Sequence, residues 1–181
     1  MNKYISEYLT QFTLLVNQID IKKVLLLSSY FKEVKKKNSK IIIVGNGGSA
    51  SIANHVTTDL SKVCRIRAIN FNEGNFLTCL SNDYSYEKWV VEALKIHAEK
   101  KDLIVLISSG GNSPNIINAA KYCRKNNYKL VTLNGFDNKK PMLKKYGILN
   151  FSINSINYNH IENIHQLILL TSLDYLLNAK I

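Results

Sequence analysis

The chain has 181 residues, 46% of them hydrophobic and 20% charged, with two prolines and eight glycines. That length excludes two large domains and that composition excludes a disordered or low-complexity polymer, which leaves one folded domain, 1–181, able to bury a sizeable core. Against 13 Asp and Glu stand 24 Lys and Arg, a formal net charge of +11, which favours anionic partners without choosing among nucleic acid, acidic membrane and phosphorylated metabolites.

Tyr4 to Ile19 and Ile21 to Lys36 carry apolar side chains at helical spacing. Ile5, Leu9, Phe12 and Val16 in the first, and Val24, Leu27, Phe31 and Val34 in the second, predict two amphipathic helices. They form a helical arm, 1–38, ahead of a core, 39–181. The N-terminus is broken by polar residues every few positions and no apolar run reaches the length of a membrane span, so no membrane partner and a cytoplasmic location are expected. From Lys40 short apolar runs alternate with helical stretches: Ile41 to Val44, Arg67 to Ile69, Leu103 to Ile107, Lys129 to Leu133 and Ile148 to Phe151. They predict an α/β fold built on a doubly wound, five-stranded parallel sheet. The last helix, Ile156 to Leu177, is apolar on more than one face through Ile164, Leu167, Ile168, Leu169, Leu173 and Leu176, which suits burial against both the sheet and a second subunit.

The basic excess comes as separated clusters, Lys22-Lys23, Lys35-Lys36-Lys37, Lys100-Lys101, Lys139-Lys140 and Lys144-Lys145, near helix ends or in loops. With three arginines and no interleaved aromatics this is the pattern of a solvated surface, and nucleic acid is disfavoured as a partner. Cys64, Cys79 and Cys123 are spaced too widely for a zinc knuckle or a redox pair and are odd in number; they are expected as reduced, buried thiols. His97 and His160 are expected at the surface.

Ligands of an open parallel sheet bind beyond the carboxyl ends of its strands, so the loops after Val44 and Ile107 carry the chemistry. The first, Gly45-Asn46-Gly47-Gly48-Ser49-Ala50, places amides and a hydroxyl at a helix start, an anion site. It also fits the dinucleotide pattern G-x-G-x-x-A, but the second strand ends in Ile69-Asn70-Phe71-Asn72 with no carboxylate for a ribose, and no Walker lysine is present. The second loop, Ser108-Ser109-Gly110-Gly111-Asn112-Ser113-Pro114, converges three hydroxyls and opens a helix with Pro114 in its first turn, a composition suited to grasping phosphate without metal or arginine.

GNGGSA followed by a histidine, with the later loop SSGGNSPN, resembles the sugar isomerase (SIS) domain family, and most nearly its phosphoheptose isomerase branch, which acts on sedoheptulose 7-phosphate. The resemblance runs from about Lys40 to Leu177. It implies a flavodoxin-like SIS fold, a phosphorylated sugar as ligand, a role in surface glycan (lipopolysaccharide or capsule) synthesis, and a homo-oligomer, a tetramer with sites between subunits. The substrate-binding residues it implies are Asn46, Gly47, Gly48, Ser49, Ser108, Ser109, Asn112 and Ser113, with Asn82 and Asp83 in an Asn-Asp element lining the sugar pocket. Gly110 stands where relatives carry a further serine.

Aldose to ketose isomerisation needs a base that moves a proton between neighbouring carbons and an acid or metal that polarises the carbonyl. The family supplies these with a His and Glu four residues apart and a Gln and His eight apart on the last helix. Here the first pair becomes His55 and Asp59. In the second, Glu162 replaces the Gln and Leu170 replaces the His, while His165 matches a histidine often found between them. The resemblance thus implies His55, Asp59, Glu162 and His165 as catalytic residues, the same four being able to hold a divalent metal such as zinc, although no cofactor is required. Because Leu170 cannot transfer a proton, two outcomes stay open: an isomerase using this altered cluster, or a catalytically impaired phosphosugar-binding or protein-binding scaffold. Sugar-sensing transcription regulators are disfavoured because no helix-turn-helix segment precedes the core.

Overall fold

The structure, a computed structural model, describes residues 2–135 and 141–180; the Lys139-Lys140 pair lies outside them. Two N-terminal helices, α1 (Lys3–Val16) and α2 (Ile21–Lys36), precede β1 (Ile41–Val44), α3 (Gly48–Lys62), β2 (Ala68–Ile69), α4 (Gly74–Tyr84), α5 (Trp89–His97), β3 (Leu103–Ser108), α6 (Pro114–Lys125), β4 (Lys129–Gly135), β5 (Leu149–Ile153) and α7 (Tyr158–Leu177). The five strands form one sheet in the order β2-β1-β3-β4-β5 with every pair parallel, as the alternating pattern predicts. The direction of winding reverses between β1 and β3, so the loops leaving their carboxyl ends open side by side.

Local chemistry sets the helix ends. Asp20 accepts from the Lys22 amide at 3.0 Å and starts α2, Glu73 accepts from Asn75 and Phe76 and starts α4, and Asn157 accepts from the His160 amide at 3.2 Å and starts α7. That last cap places the start of α7 at Tyr158, two residues later than the apolar pattern alone suggests.

Strand residues alternate between two cores. Ile41, Ile43, Leu103, Val105, Val131 and Leu133 meet α2, α3 and α7 on one face, and Ile42, Val44, Ile104, Leu106 and Leu130 meet α4, α5 and α6 on the other. Of the predicted arm, α2 belongs to the first core through the buried residues Val24, Leu27, Phe31 and Val34, while α1 has no buried residue.

Two surface assignments change. His160 is not at the surface: it is 5% exposed, with its ring 4.1 Å from that of Tyr8 and 5.6 Å from that of Phe12, because α1 lies across the start of α7. Cys79 is exposed instead of buried, while Cys64 and Cys123 are buried as expected. Burial pushes the Cys123 thiol up to about 12, which keeps it protonated and inert. Lysines also do local work: Lys23 Nζ donates to the Asn150 carbonyl and Lys35 Nζ to that of Cys64.

Candidate active site

The loop after β1 begins with Gly45 and passes through Gly47, whose φ of +54° is the left-handed region that a side chain disfavours. The next residue, Gly48, opens α3 and is glycine for a different reason: a Cβ there would fall on the carboxylate of Glu162. Ser49 donates its amide to the Asn46 carbonyl and Ala50 to that of Gly47, so these amides close the turn. Asn46 exchanges two side-chain hydrogen bonds with Asn115 of α6, at 3.0 and 2.9 Å, and accepts a third from the Tyr86 hydroxyl at 3.2 Å.

The loop after β3 is held as firmly by its backbone. Gly111 donates to the Ser108 carbonyl, Gly135 to that of Ser109 and Leu143 to that of Gly111. Asn112 accepts from the Met142 amide at 2.9 Å, so its side chain anchors the loop from outside. Ser49, Ser108 and Ser109 are all buried, and Ser113 is half-buried.

The serines fall into two pairs. Ser108 and Ser113 stand 3.0 Å apart, hydroxyl to hydroxyl. Ser49 and Ser109 stand 3.3 Å apart, and Ser109 donates to Glu162 Oε1 at 3.1 Å. A hydroxyl has one proton, so the direction is set: Ser49 donates to Ser109, which donates to Glu162. Glu162 is thereby drawn from α7 to the mouth of both loops.

Below this point α3 and α7 run along a common seam. His55 Nε2 lies 3.3 Å from Asp59 Oδ2, and His55 Nδ1 lies 3.4 Å from Gln166 Nε2. Because the amide nitrogen of Gln166 can only donate, Nδ1 accepts and the proton sits on Nε2, facing Asp59. One turn further on, Leu170 and Asp59 share the lining of a cavity of about 140 Å³ with Val63, Cys64, Leu173 and Asp174.

His165 does not join this group. It is fully buried, and its Nε2 lies 3.2 Å from the Asn134 carbonyl oxygen of β4. That contact makes Nε2 the donor, while Nδ1 is buried without a partner. Burial lowers its pKa to about 4, only partly opposed by the carbonyl, so the ring is neutral and faces the core. The expected cluster of two histidines and two carboxylates is therefore corrected to two separate features, His55 with Asp59 and Glu162 with Ser109. Among the described residues no three His, Cys, Asp or Glu side chains are placed to hold a metal ion.

Asn82 and Asp83 are exposed at the end of α4, where Asn82 donates to Asp83 at 3.1 Å and Cys79 Sγ lies 3.6 Å from Asp83. Tyr86, just beyond them, is the residue of this segment that reaches the first loop. Sequence reasoning passed over Asn115, although it is the last residue of SSGGNSPN, and Gln166, a polar residue within the apolar pattern of α7.

The profile of the SIS domain family matches residues 7–135. A protein named phosphoheptose isomerase from Cytophaga hutchinsonii is 31% identical over 170 residues, covering 80% of this chain and 89% of that protein. Another of that name from Fusobacterium nucleatum is 29% identical over 174 residues, covering 91% and 89%. The solved structure of phosphoheptose isomerase from Neisseria gonorrhoeae superimposes with a TM-score of 0.85 at 21% identity, over 96% of this chain and 98% of that one. Two serine loops at the reversal point of a β2-β1-β3-β4-β5 sheet, the profile match over most of the chain and these relatives lead to one conclusion: this chain belongs to the SIS domain family.

Proposed function

We propose that the protein is a phosphosugar isomerase that interconverts sedoheptulose 7-phosphate and an aldoheptose 7-phosphate, supplying surface glycan synthesis in the cytoplasm. The observation that carries this reading is the hydrogen-bonded series Ser49, Ser109, Glu162, which aims a carboxylate at the mouth of two hydroxyl-rich loops. The names of the relatives agree with it.

In this reading Ser108 and Ser113 take phosphate oxygens, with Ser49 and Ser109 completing the grip, and Asn46, Gly47, Gly48 and Asn112 shape it. Glu162 removes a proton from C1 of the ketose and returns it to C2, passing through an enediol. The hydroxyl proton of O1 is lost as O2 gains one, and His55 handles this exchange at the oxygens with Asp59 balancing its charge. Gly48 and His55 are seven residues apart on α3, about 10 Å along the helix, a span suited to an extended sugar. No step is assigned to a metal, because His165 faces the core and Leu170 offers no donor. Sedoheptulose 7-phosphate incubated with the protein in D2O should acquire deuterium at C1 or C2; tight binding without exchange overturns the proposal.

One observation favours a second reading. Leu170 lies beside Asp59 where the family carries a proton-transferring His, which suits a binding protein without turnover. A stoichiometric protein partner whose capture ignores Ser108→Ala and Ser113→Ala supports that reading.

Assembly belongs to the same proposal. Ile5, Leu9 and Leu14 on α1 are each more than half exposed, and they line a shallow groove that a second copy would cover. A homo-oligomer, a tetramer by resemblance, is expected at micromolar concentration; a monomer in light scattering counts against it.

A further inference from the structure

Beyond the last paired residues of β1 and β3, Val44 and Leu106, the two serine loops meet through side chains. At one place the Ser49 and Ser109 hydroxyls stand 3.3 Å apart. At another, Asn46 of the first loop and Asn115, the second residue of α6, exchange amide hydrogen bonds at 3.0 and 2.9 Å, and the Tyr86 hydroxyl donates to Asn46 Oδ1 at 3.2 Å. Both lone-pair positions of that oxygen are thereby filled, by donors from α6 and from the turn before α5.

The two meeting points respond differently to a ligand. The Ser49 hydroxyl has one proton, so donating it to a phosphate oxygen ends its donation to Ser109. The asparagine pair gives up nothing. Asn115 is 1% exposed, out of a ligand's reach, and the single hydroxyl proton of Tyr86 is committed to Asn46. A phosphate between the loops therefore opens their serine contact while it still needs serines from both sides at a fixed spacing.

We infer that Asn115 is a positioning residue for phosphate binding: acting through Asn46, with Tyr86 on the same oxygen, it holds the first loop against the second at the spacing their serines need when a phosphate lies between them. The inference rests on the reading of the two loops as a phosphate site and assigns the group that keeps them aligned.

Isothermal titration with inorganic phosphate, run as a double-variant cycle, tests it. Asn115→Ala should weaken phosphate binding about tenfold from out of the ligand's reach, and Ser49→Ala should do the same by removing a contact. Because the Ser49 contact depends on the asparagine pair, the double variant should be only about tenfold to twentyfold weaker than the unmodified protein, whereas a merely structural Asn115 gives the product, about a hundredfold. Tyr86→Phe removes one hydroxyl from a half-exposed ring and carries the same cycle if Asn115→Ala does not fold. It should weaken binding about threefold alone and less than about 1.5-fold in the Ser49→Ala background. Effects that multiply in either cycle overturn the inference. So does Asn115→Ala binding within about twofold of the unmodified protein or, where that variant does not fold, a Tyr86→Phe variant that binds unweakened. An unmodified protein that binds no phosphate overturns it too. Deuterium exchange into sedoheptulose 7-phosphate is read in parallel. A coupled cycle without any exchange refutes the isomerase reading alone, whereas exchange with multiplying effects refutes this inference alone.

Discussion

The two serine loops and the α3–α7 seam meet at the same corner of the sheet and are built by different means. Each loop closes on its own backbone, through the Ser49 and Ala50 amides in the first and the Gly111 amide in the second, and is tied to its surroundings by Gly135 on Ser109, Leu143 on Gly111 and the Asn46–Asn115 side-chain pair. Its serines are positioned before any ligand arrives. The seam is held by side chains reaching between helices, with His55 exposed by nearly half and bonded to Asp59 on its own helix and Gln166 on the other. In the proposed function, binding is built into rigid loops, while proton transfer depends on how two helices lie against each other. This difference explains how the two serine loops can stay recognisable while the seam carries Asp59, Glu162 and Leu170 where the resemblance implies Glu, Gln and His.

Glu162→Gln is the sharpest way to break the comparison. It keeps the shape and the Ser109 contact but removes the base, so exchange of the carbon-bound proton should fall about a thousandfold while inorganic phosphate still binds. Equal loss of both would mean that the carboxylate belongs to the loops and not to the seam.

The next effect concerns stability. An unfolded imidazole titrates near ~6.5, and burial lowers that of His165 to about 4. Between those values the unfolded chain binds a proton that the folded chain refuses. Stability is therefore intact above pH ~6.5 and declines as pH falls toward 4, by up to about 3 kcal/mol. Chemical denaturation across this range should show that decline, and His165→Gln should flatten it without touching exchange.

Ser113→Ala removes the partner of Ser108 and should raise KM for the phosphosugar about tenfold with kcat little changed. Steady-state kinetics separate the two parameters, and a fall in kcat of the same size would move this serine to the chemical step. The smallest effect belongs to Gln166→Leu. Losing one half-exposed hydrogen bond to His55 Nδ1 should lower kcat about fivefold and reshape its pH profile, with phosphate affinity unaltered.

How much of this was legible depends on whether a feature is local. The predicted strand Ile41 to Val44 matches β1 at both ends, and both loops lie where the glycines and serines place them, because apolar runs and turn chemistry act over a few residues. His160 was misplaced because the rings that cover it, Tyr8 and Phe12, come from the far end of the chain. Cys79 was misplaced because its position on α4 faces away from the sheet.

The clearest division lies within one turn of α7. His165 and Gln166 follow Glu162 by three and four residues, so both are its neighbours on the helix surface, and they point about 100° apart. Nothing in the string IENIHQ says which of them turns toward α3. By itself the sequence determined the parallel sheet, the two hydroxyl loops and the family, each of which follows from short-range pattern. Only the packing of α7 between β4 and α3 decided that His165 enters the core, that Gln166 meets His55 and that Glu162 reaches Ser109, because a helix's rotation about its axis is set by everything that it touches.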